Sequence, residues 1–256
     1  MCFGKPATQM GTAGPDNIMG TPGRDVIAGL GGADSISGVG KADRLCGGGG
    51  PDSIFGGDGS DKIAGGRGND VSLAGGAGHD QITGAAGEDS LFGDDGNDRL
   101  IAGDGNDVTV VGGEGNDLVD GGAGRDSVFG DAGDDTVLGG PGGDTTVVGS
   151  AGEDIVAGGG GDDSVFGDGD ADRVSGGDGD DLVVGSSGDD RLRGGSGRDT
   201  MYGDGDDDRL FGGSGLDEMF GGGQVDLCDG GAPKPDTPAR HDTWSSCSTH
   251  RSARAA

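Results

Sequence analysis

The sequence predicts an all-β solenoid, a short repeat coiled at two units per turn. Three observations carry this. An aspartate recurs in phase 24 times. An aliphatic residue follows two places after 20 of them. Single-residue insertions recur at every fourth unit, 37 residues apart.

The composition alone reads otherwise. The 256 residues include 67 Gly and 43 Asp, with 30% hydrophobic residues, 4% aromatic residues and a net charge of −30. A globular domain usually carries about 45–50% apolar residues. So little apolar surface with so much charge is the mark of a disordered chain, and only the phased repeat overrides that reading. The chain has no run of 18 apolar residues for a transmembrane helix. Its charge has the wrong sign for nucleic acid, and its glycines lack the every-third spacing of collagen.

The unit is G-G-x-G-x-D-x-U-x, with U aliphatic, as in GGAGRDSVF from Gly121 to Phe129. The phase aspartates are Asp16, Asp25, Asp34, Asp43, Asp52, Asp61, Asp70, Asp80, Asp89, Asp98, Asp107 and Asp117, then Asp126, Asp135, Asp144, Asp154, Asp163, Asp172, Asp181, Asp190, Asp199, Asp208, Asp217 and Asp226. Gly holds the first position in 23 units, with Ala102 the exception, and the fourth in 20, replaced by Lys41, Asp170, Asp206 and Gln224. The U position is Ile, Leu, Val or Met in 20 of 24 units. Ser72, Thr109 and Thr146 stand there after the insertions, and the aliphatic slips to Leu73, Val110 and Val147; the last unit has Cys228. A four-unit superperiod also shows in SIFG, SLFGD, SVFGD, SVFGD and TMYGD. Insertions at that period fit two units per turn, with each bulge on the same side.

The x-U-x triplet is too short for a helix and predicts a three-residue strand with one inward side chain. The GGxGxD stretch predicts a turn whose glycines permit positive φ. Stacked turns set aspartate over aspartate at about 4.8 Å. Carboxylates that close repel unless a cation lies between them. Carboxylates with loop carbonyls select a hard cation of six to eight oxygen ligands, Ca²⁺ rather than Mg²⁺. Soft metals want Cys or His, and neither recurs in the units. One inward aliphatic per nine residues is a thin core against the entropy of ordering the chain. The expectation is a metal-free chain that is disordered and folds as Ca²⁺ binds.

The nonapeptide resembles the RTX, or haemolysin-type, calcium-binding repeat, over residues 11 to about 231. The resemblance implies a parallel β-roll of about 12 turns, roughly 55–60 Å long at 4.8 Å per turn. It implies Ca²⁺ held between loops of units n and n+2, with the 24 phase aspartates and loop carbonyls as ligands. Asp52, Asp61, Asp70, Asp80, Asp117, Asp126, Asp144, Asp163, Asp181 and Asp199 sit in the best-matching units. Asp43, Asp172, Asp208 and Asp226 sit in the weakest, where the fourth Gly is replaced. Fifteen divalent ions would cancel the net charge of −30, so fewer tight sites are expected than the 22 gaps between units n and n+2. The opening stretch from Cys2 to Gly48 is similar to that of secreted actinobacterial RTX-repeat proteins, which implies an extracellular protein. No basic and apolar leader precedes Cys2, so the expectation is a removed signal, a mis-assigned start or a fragment.

The expected organisation is an N-terminal cap over 1–10, the roll over 11–231 and a non-repeat tail or cap over 232–256. Cys2, Cys46, Cys228 and Cys247 allow three pairings. Their grouping near the two ends favours Cys2–Cys46 and Cys228–Cys247, each pinning a terminal segment; free thiols in a reducing compartment are the alternative. In the tail, Pro233, Pro235 and Pro238 stop strands, Trp244 is a candidate to pack on the last turn, and a frayed terminus is the alternative. His241, Cys247 and His250 make a weak zinc pattern. Phe55, Phe92, Phe129, Phe166 and Tyr202 should form an outward file every second turn, an echo of the duplication or a partner surface. Asp168, Asp170, Asp178 and Asp180, out of phase, read as solvated surface charge.

No paired acid and base, nucleophile with base, or zinc-hydrolase motif stands out. The reading is therefore a non-enzymatic, monomeric, extracellular calcium-binding protein with a structural or interaction role. The alternatives are a repeat and export module of a larger secreted toxin or hydrolase, or a surface adhesin.

Overall fold

The computed structural model describes residues 1–231, 243–245 and 247–252. The chain forms two compact units, Met1–Ala132 and Gly133–Ala256. Among the described residues the first holds 14 strands, seven in each of two sheets; the second holds 13, seven in one sheet and six in the other. Successive strands alternate between the two sheets of a unit, so each pairs in parallel with the strand two places along the chain, as Ser53–Asp58 pairs with Ser72–Ala77. Each unit is thus an all-β parallel solenoid with two repeats per turn, and together they hold about 12 such turns. No helix occurs among the described residues.

The strands are longer than the expected three residues. Asn17–Met19 and Val26–Ala28 have that length, but Ser53–Asp58, Lys62–Arg67 and most others span six. The extra residues are the first two glycine positions and the one after. Pairing steps over the first position and resumes at the second: Ile36 faces Ile54, Ser37 faces Phe55, and then Val39 faces Gly57. Positive φ at the second position, 88° at Val39 and 108° at Gly57, bends the strand without ending its ladder. The true turn shrinks to three residues, such as Gly59 to Asp61.

The inward column is the U position. In the first unit Leu45, Ile63, Ile82 and Leu100 lie in register, each 0–1% exposed. Burying each is worth about 2 kcal/mol. Where a residue is inserted, the aliphatic one place later keeps the inward site: Leu73, Val110 and Val147 are buried. The insertion itself is expelled, leaving Val71 66% and Val108 60% exposed. Both bulges of the first unit enter strands of the same sheet, Ser72–Ala77 and Thr109–Glu114.

The aromatic file faces outward at every second turn and is filled between. In the first unit Ala74 and Val111 register with Phe55, Phe92 and Phe129. In the second, Val184 separates Phe166 from Tyr202, which stacks on Phe220 at 4.9 Å.

The terminal segments join the ladders. Gln9–Met10 pairs with Val26–Ala28, and the buried Cys2 is disulfide-bonded to Cys46 with Cα atoms 5.8 Å apart. In the second unit Thr243–Ser245 pairs with Glu218–Gly222, and Cys247–Ser252 pairs with Asp226–Gly231 through register shifts. Cys228 is bonded to Cys247, Cα atoms 5.9 Å apart. In the second unit both sheets thus end on non-repeat strands; in the first, Gln9–Met10 extends one sheet and the repeat strand Asn17–Met19 ends the other. The Trp244 side chain, the prolines of the tail and His241 lie outside the described residues, and the cap and zinc readings with them.

Candidate metal centre

A typical phase aspartate sits at the junction of turn and strand, where three backbone-directed bonds fix it. Its carbonyl accepts from the strand one turn on, as Arg99 N–H donates to Asp80 O at 2.9 Å. Its own N–H donates to Oδ1 of the aspartate one turn on: Asp43 to Asp61 at 2.7 Å, Asp61 to Asp80 at 2.7 Å and Asp80 to Asp98 at 2.7 Å. Its own Oδ1 accepts the same bond from the turn before.

These bonds string the aspartates into columns, units n and n+2 adjacent. In the first unit one column is Asp16, Asp34, Asp52, Asp70, Asp89, Asp107 and Asp126, linked at 2.8–2.9 Å. The other is Asp25, Asp43, Asp61, Asp80, Asp98 and Asp117. The second unit repeats this with Asp135, Asp154, Asp172, Asp190, Asp208 and Asp226, and with Asp144, Asp163, Asp181, Asp199 and Asp217. The four aspartates with a replaced fourth glycine keep their places. Lys41, Asp170, Asp206 and Gln224 adopt the left-handed conformation themselves, with φ of 68–71°.

The second carboxylate oxygen is different. Oδ2 of Asp34, Asp43, Asp52, Asp61, Asp70, Asp80, Asp89, Asp98 and Asp107 is buried without a hydrogen-bond partner. The same holds in the second unit for Asp154, Asp163, Asp172, Asp181, Asp190, Asp199 and Asp208. Apart from Asp107, whose repeat has Ala102 there, each lies against the first glycine of its own repeat. That glycine needs space rather than conformational freedom, because its φ is ordinary. A Cβ on Gly194 would collide with Asp199 Oδ2 and lie 2.6 Å from the carbonyl oxygen of Gly212, one turn on. At Gly56 the same two partners are Asp61 Oδ2 and the Gly75 carbonyl, the latter at 2.5 Å. A carboxylate oxygen and a first-glycine carbonyl of the next turn thus converge on the room that the absent side chain leaves.

A buried, unpartnered carboxylate oxygen is costly, and burial holds these carboxyls above the ordinary carboxylate range. Burial pushes Asp70, Asp98, Asp107, Asp163, Asp172, Asp199 and Asp208 up to about 7, against the backbone N–H bond that pulls each down. Like charge from the neighbouring aspartates of the column adds to the rise. A cation between turns would supply what these oxygens lack. Among the described residues no three His, Cys, Asp or Glu side chains converge. Carboxylates of neighbouring turns completed by backbone carbonyls form an all-oxygen donor set, which suits Ca²⁺.

Two sites depart from the pattern. Asp16 and Asp25 have Thr12 and Thr21 at the second position in place of Gly, and each threonine donates both its N–H and its hydroxyl to Oδ2, at 2.6–3.0 Å. Those carboxylates are already partnered. The substitution GT for GG was visible in the sequence as the signal.

A second side-chain ladder was missed. The residue before the phase aspartate is often Asn or Asp, and its Oδ1 accepts the N–H of the equivalent residue one turn on: Asp162 from Asp180 at 2.9 Å, Asp180 from Arg198 at 2.7 Å. Asp180 is therefore not only surface charge, and Asp178 accepts the Ser196 hydroxyl at 2.7 Å. The recurrence of Asn and Asp at that place, from Asn69 to Asp207, was the signal.

A family model described as the RTX calcium-binding nonapeptide repeat (4 copies) matches residues 10–45, 37–71, 74–108, 111–146, 142–174, 175–210, 184–219 and 202–232. No curated protein matches the chain.

Proposed function

Because the chain belongs to the family of RTX calcium-binding nonapeptide repeat proteins, we propose that it is an extracellular calcium-binding protein whose repeats fold as Ca²⁺ binds. Its role on this reading is structural or interactive, and it acts as a monomer without catalysis. The carrying observation is the column of buried Oδ2 atoms with no hydrogen-bond donor. Asp34 to Asp107 in the first unit and Asp154 to Asp208 in the second would hold the ions, with carbonyls of the first glycines beside them. Asp16 and Asp25, partnered by threonine, would be the last to need one.

Bound Ca²⁺ supplies positive charge between successive turns. The chain's own residues do the rest. The Oδ1 bonds hold each carboxylate in one orientation, and the first glycines leave it room. The inward aliphatics close the coil on dry packing. Two disulfides support an oxidising location, and calcium concentrations outside cells are compatible with weak repeat sites.

A far-ultraviolet circular dichroism titration tests the reading, with Mg²⁺ as control and EDTA for reversal. A coil-to-β transition at micromolar to millimolar Ca²⁺, absent with Mg²⁺, is expected. A β spectrum that EDTA leaves unchanged would overturn metal-driven folding.

A further inference from the structure

We propose that the second unit carries a binding strip for a linear acidic polysaccharide, made by Arg173, Arg191, Arg193 and Arg209 beside a glycine-floored groove. The strands Arg173–Asp178, Arg191–Gly197 and Arg209–Gly215 are neighbours in one sheet. Their register sets Arg173 beside Arg191 and Arg191 beside Arg209, with Arg193 between Ser175 and Phe211. All four arginines are exposed.

The placement is selective. The other sheet of this unit has its strands at Thr146–Ala151, Ser164–Gly169, Leu182–Ser187, Thr200–Asp204, Glu218–Gly222 and Thr243–Ser245, and they contain no Lys or Arg. Like charges on adjacent strands are unfavourable. In a chain with 43 Asp, an acidic neighbour for each arginine was readily available, yet three arginines follow one another at about 4.8 Å. Such a row has no role in holding the sheet together. It suits a ligand that presents anions at the same interval.

The groove beside the row identifies the ligand class. It is an open, shallow groove of about 600 Å³. Gly159, Gly177, Gly195 and Gly213 line it with bare backbone and Ser175, Ser196 and Ser214 with hydroxyls; Arg193 stands at its side, and the acidic residue of the lining, Asp178, is engaged by the Ser196 hydroxyl. Bare backbone and hydroxyl groups suit the flat, hydroxyl-rich rings of a saccharide. A chain of pyranose rings with one carboxylate or sulfate per ring presents a regular row of anions, and each guanidinium can form a forked pair with one of them. Single-stranded nucleic acid would need several stacking platforms, and Phe211 is the one aromatic residue in the strip's three strands. The strip rests on the calcium reading in one respect: the −30 charge of the chain repels a polyanion until bound cations offset it.

The test measures binding of a fluorescent chondroitin sulfate decasaccharide to the full chain in millimolar Ca²⁺, with dextran as the neutral control and single-stranded DNA as the other polyanion. Circular dichroism follows folding of each variant. The expected result is salt-sensitive binding to chondroitin sulfate and none to dextran. The combined change Arg191→Gln, Arg193→Gln and Arg209→Gln should weaken binding about tenfold or more. Arg125→Gln in the first unit should leave it unchanged. A folded wild-type chain that does not bind, a triple variant that binds like wild type, or equal affinity for DNA would each overturn the strip. A chain that ignores calcium yet binds through these arginines would sink the calcium reading alone.

Discussion

The backbone N–H of Asp52 donates to Oδ1 of Asp70, 2.9 Å away and one turn further on. Asp70 is thus a structural acceptor through one oxygen and an unpartnered anion through the other. The two jobs separate by substitution.

Asp70→Asn keeps an acceptor for Asp52 and puts an amide donor where Oδ2 lies. The variant should fold in saturating Ca²⁺ but bind up to two fewer ions, one on either side of the turn. Asp70→Ala also strands the Asp52 N–H, at a cost of about 1–3 kcal/mol, and should melt lower than Asp70→Asn. Equilibrium dialysis and thermal melting read the two effects. Unchanged stoichiometry in Asp70→Asn would remove Asp70 from the ligand set.

The period and the U position were enough to read the coil, its two-repeat turn, the inward aliphatics and the slip to Leu73 and Val110, because side-chain direction in a strand follows spacing alone. Strand length was not legible. A glycine pair reads as a turn, and only the pairing of Val39 with Gly57 shows that the second glycine position bends a strand that continues. The columns of aspartates were foreseen from stacking, but the use of Oδ1 was not, since a period says which residues align and nothing about which atom faces a backbone N–H. The partnering of Asp16 and Asp25 by Thr12 and Thr21 was in plain view and would have needed a reason to distrust two of the 24 repeats.

Acid should substitute in part for calcium. Burial pushes Asp70 and Asp163 up to about 7 and Asp43 and Asp80 up to about 6, from an ordinary value of 3.8. A carboxyl whose folded value is raised favours the fold when protonated. That contribution is complete below about pH 4 and is lost as pH rises through 6 to 7. The calcium-free chain should therefore show more β structure at pH 4.5 than at pH 8, and the calcium midpoint should fall as pH rises, since protons and cations compete for the same oxygens. Equal β content at both pH values without metal would refute the assignment of these raised carboxyls.

The disulfides should act mainly through the unfolded chain. Cys2 and Cys46 are separated by 44 residues and Cys228 and Cys247 by 19. Loop closure at those lengths is worth about 4 and about 3 kcal/mol. Cys2→Ser with Cys46→Ser should raise the calcium concentration needed for folding more than Cys228→Ser with Cys247→Ser does. Circular dichroism titrations of the two variants make the comparison. The reverse order would mean that Cys247–Ser252 depends on its bond for docking to Asp226–Gly231.

Val39 is a β-branched residue at φ 88°, at a position that Gly fills in most repeats. A left-handed conformation costs an L-residue about 1–2 kcal/mol, and β-branching worsens it. Its side chain is 38% exposed, so little burial is given up by removing it. Val39→Gly relieves the strain and adds freedom to the unfolded chain, about 0.5–1 kcal/mol in the other direction. The net should be a gain of up to about 1 kcal/mol, or a few degrees in Tm in saturating calcium. Gly57→Val runs the same logic backwards with a further penalty. At φ 108° its Cβ would meet the carbonyl of Val39 in the turn before, so the variant should lose several times what Val39→Gly gains. If Val39→Gly lowers Tm, side-chain contacts at Val39 outweigh the backbone, and the left-handed second position is not the strained point of the repeat.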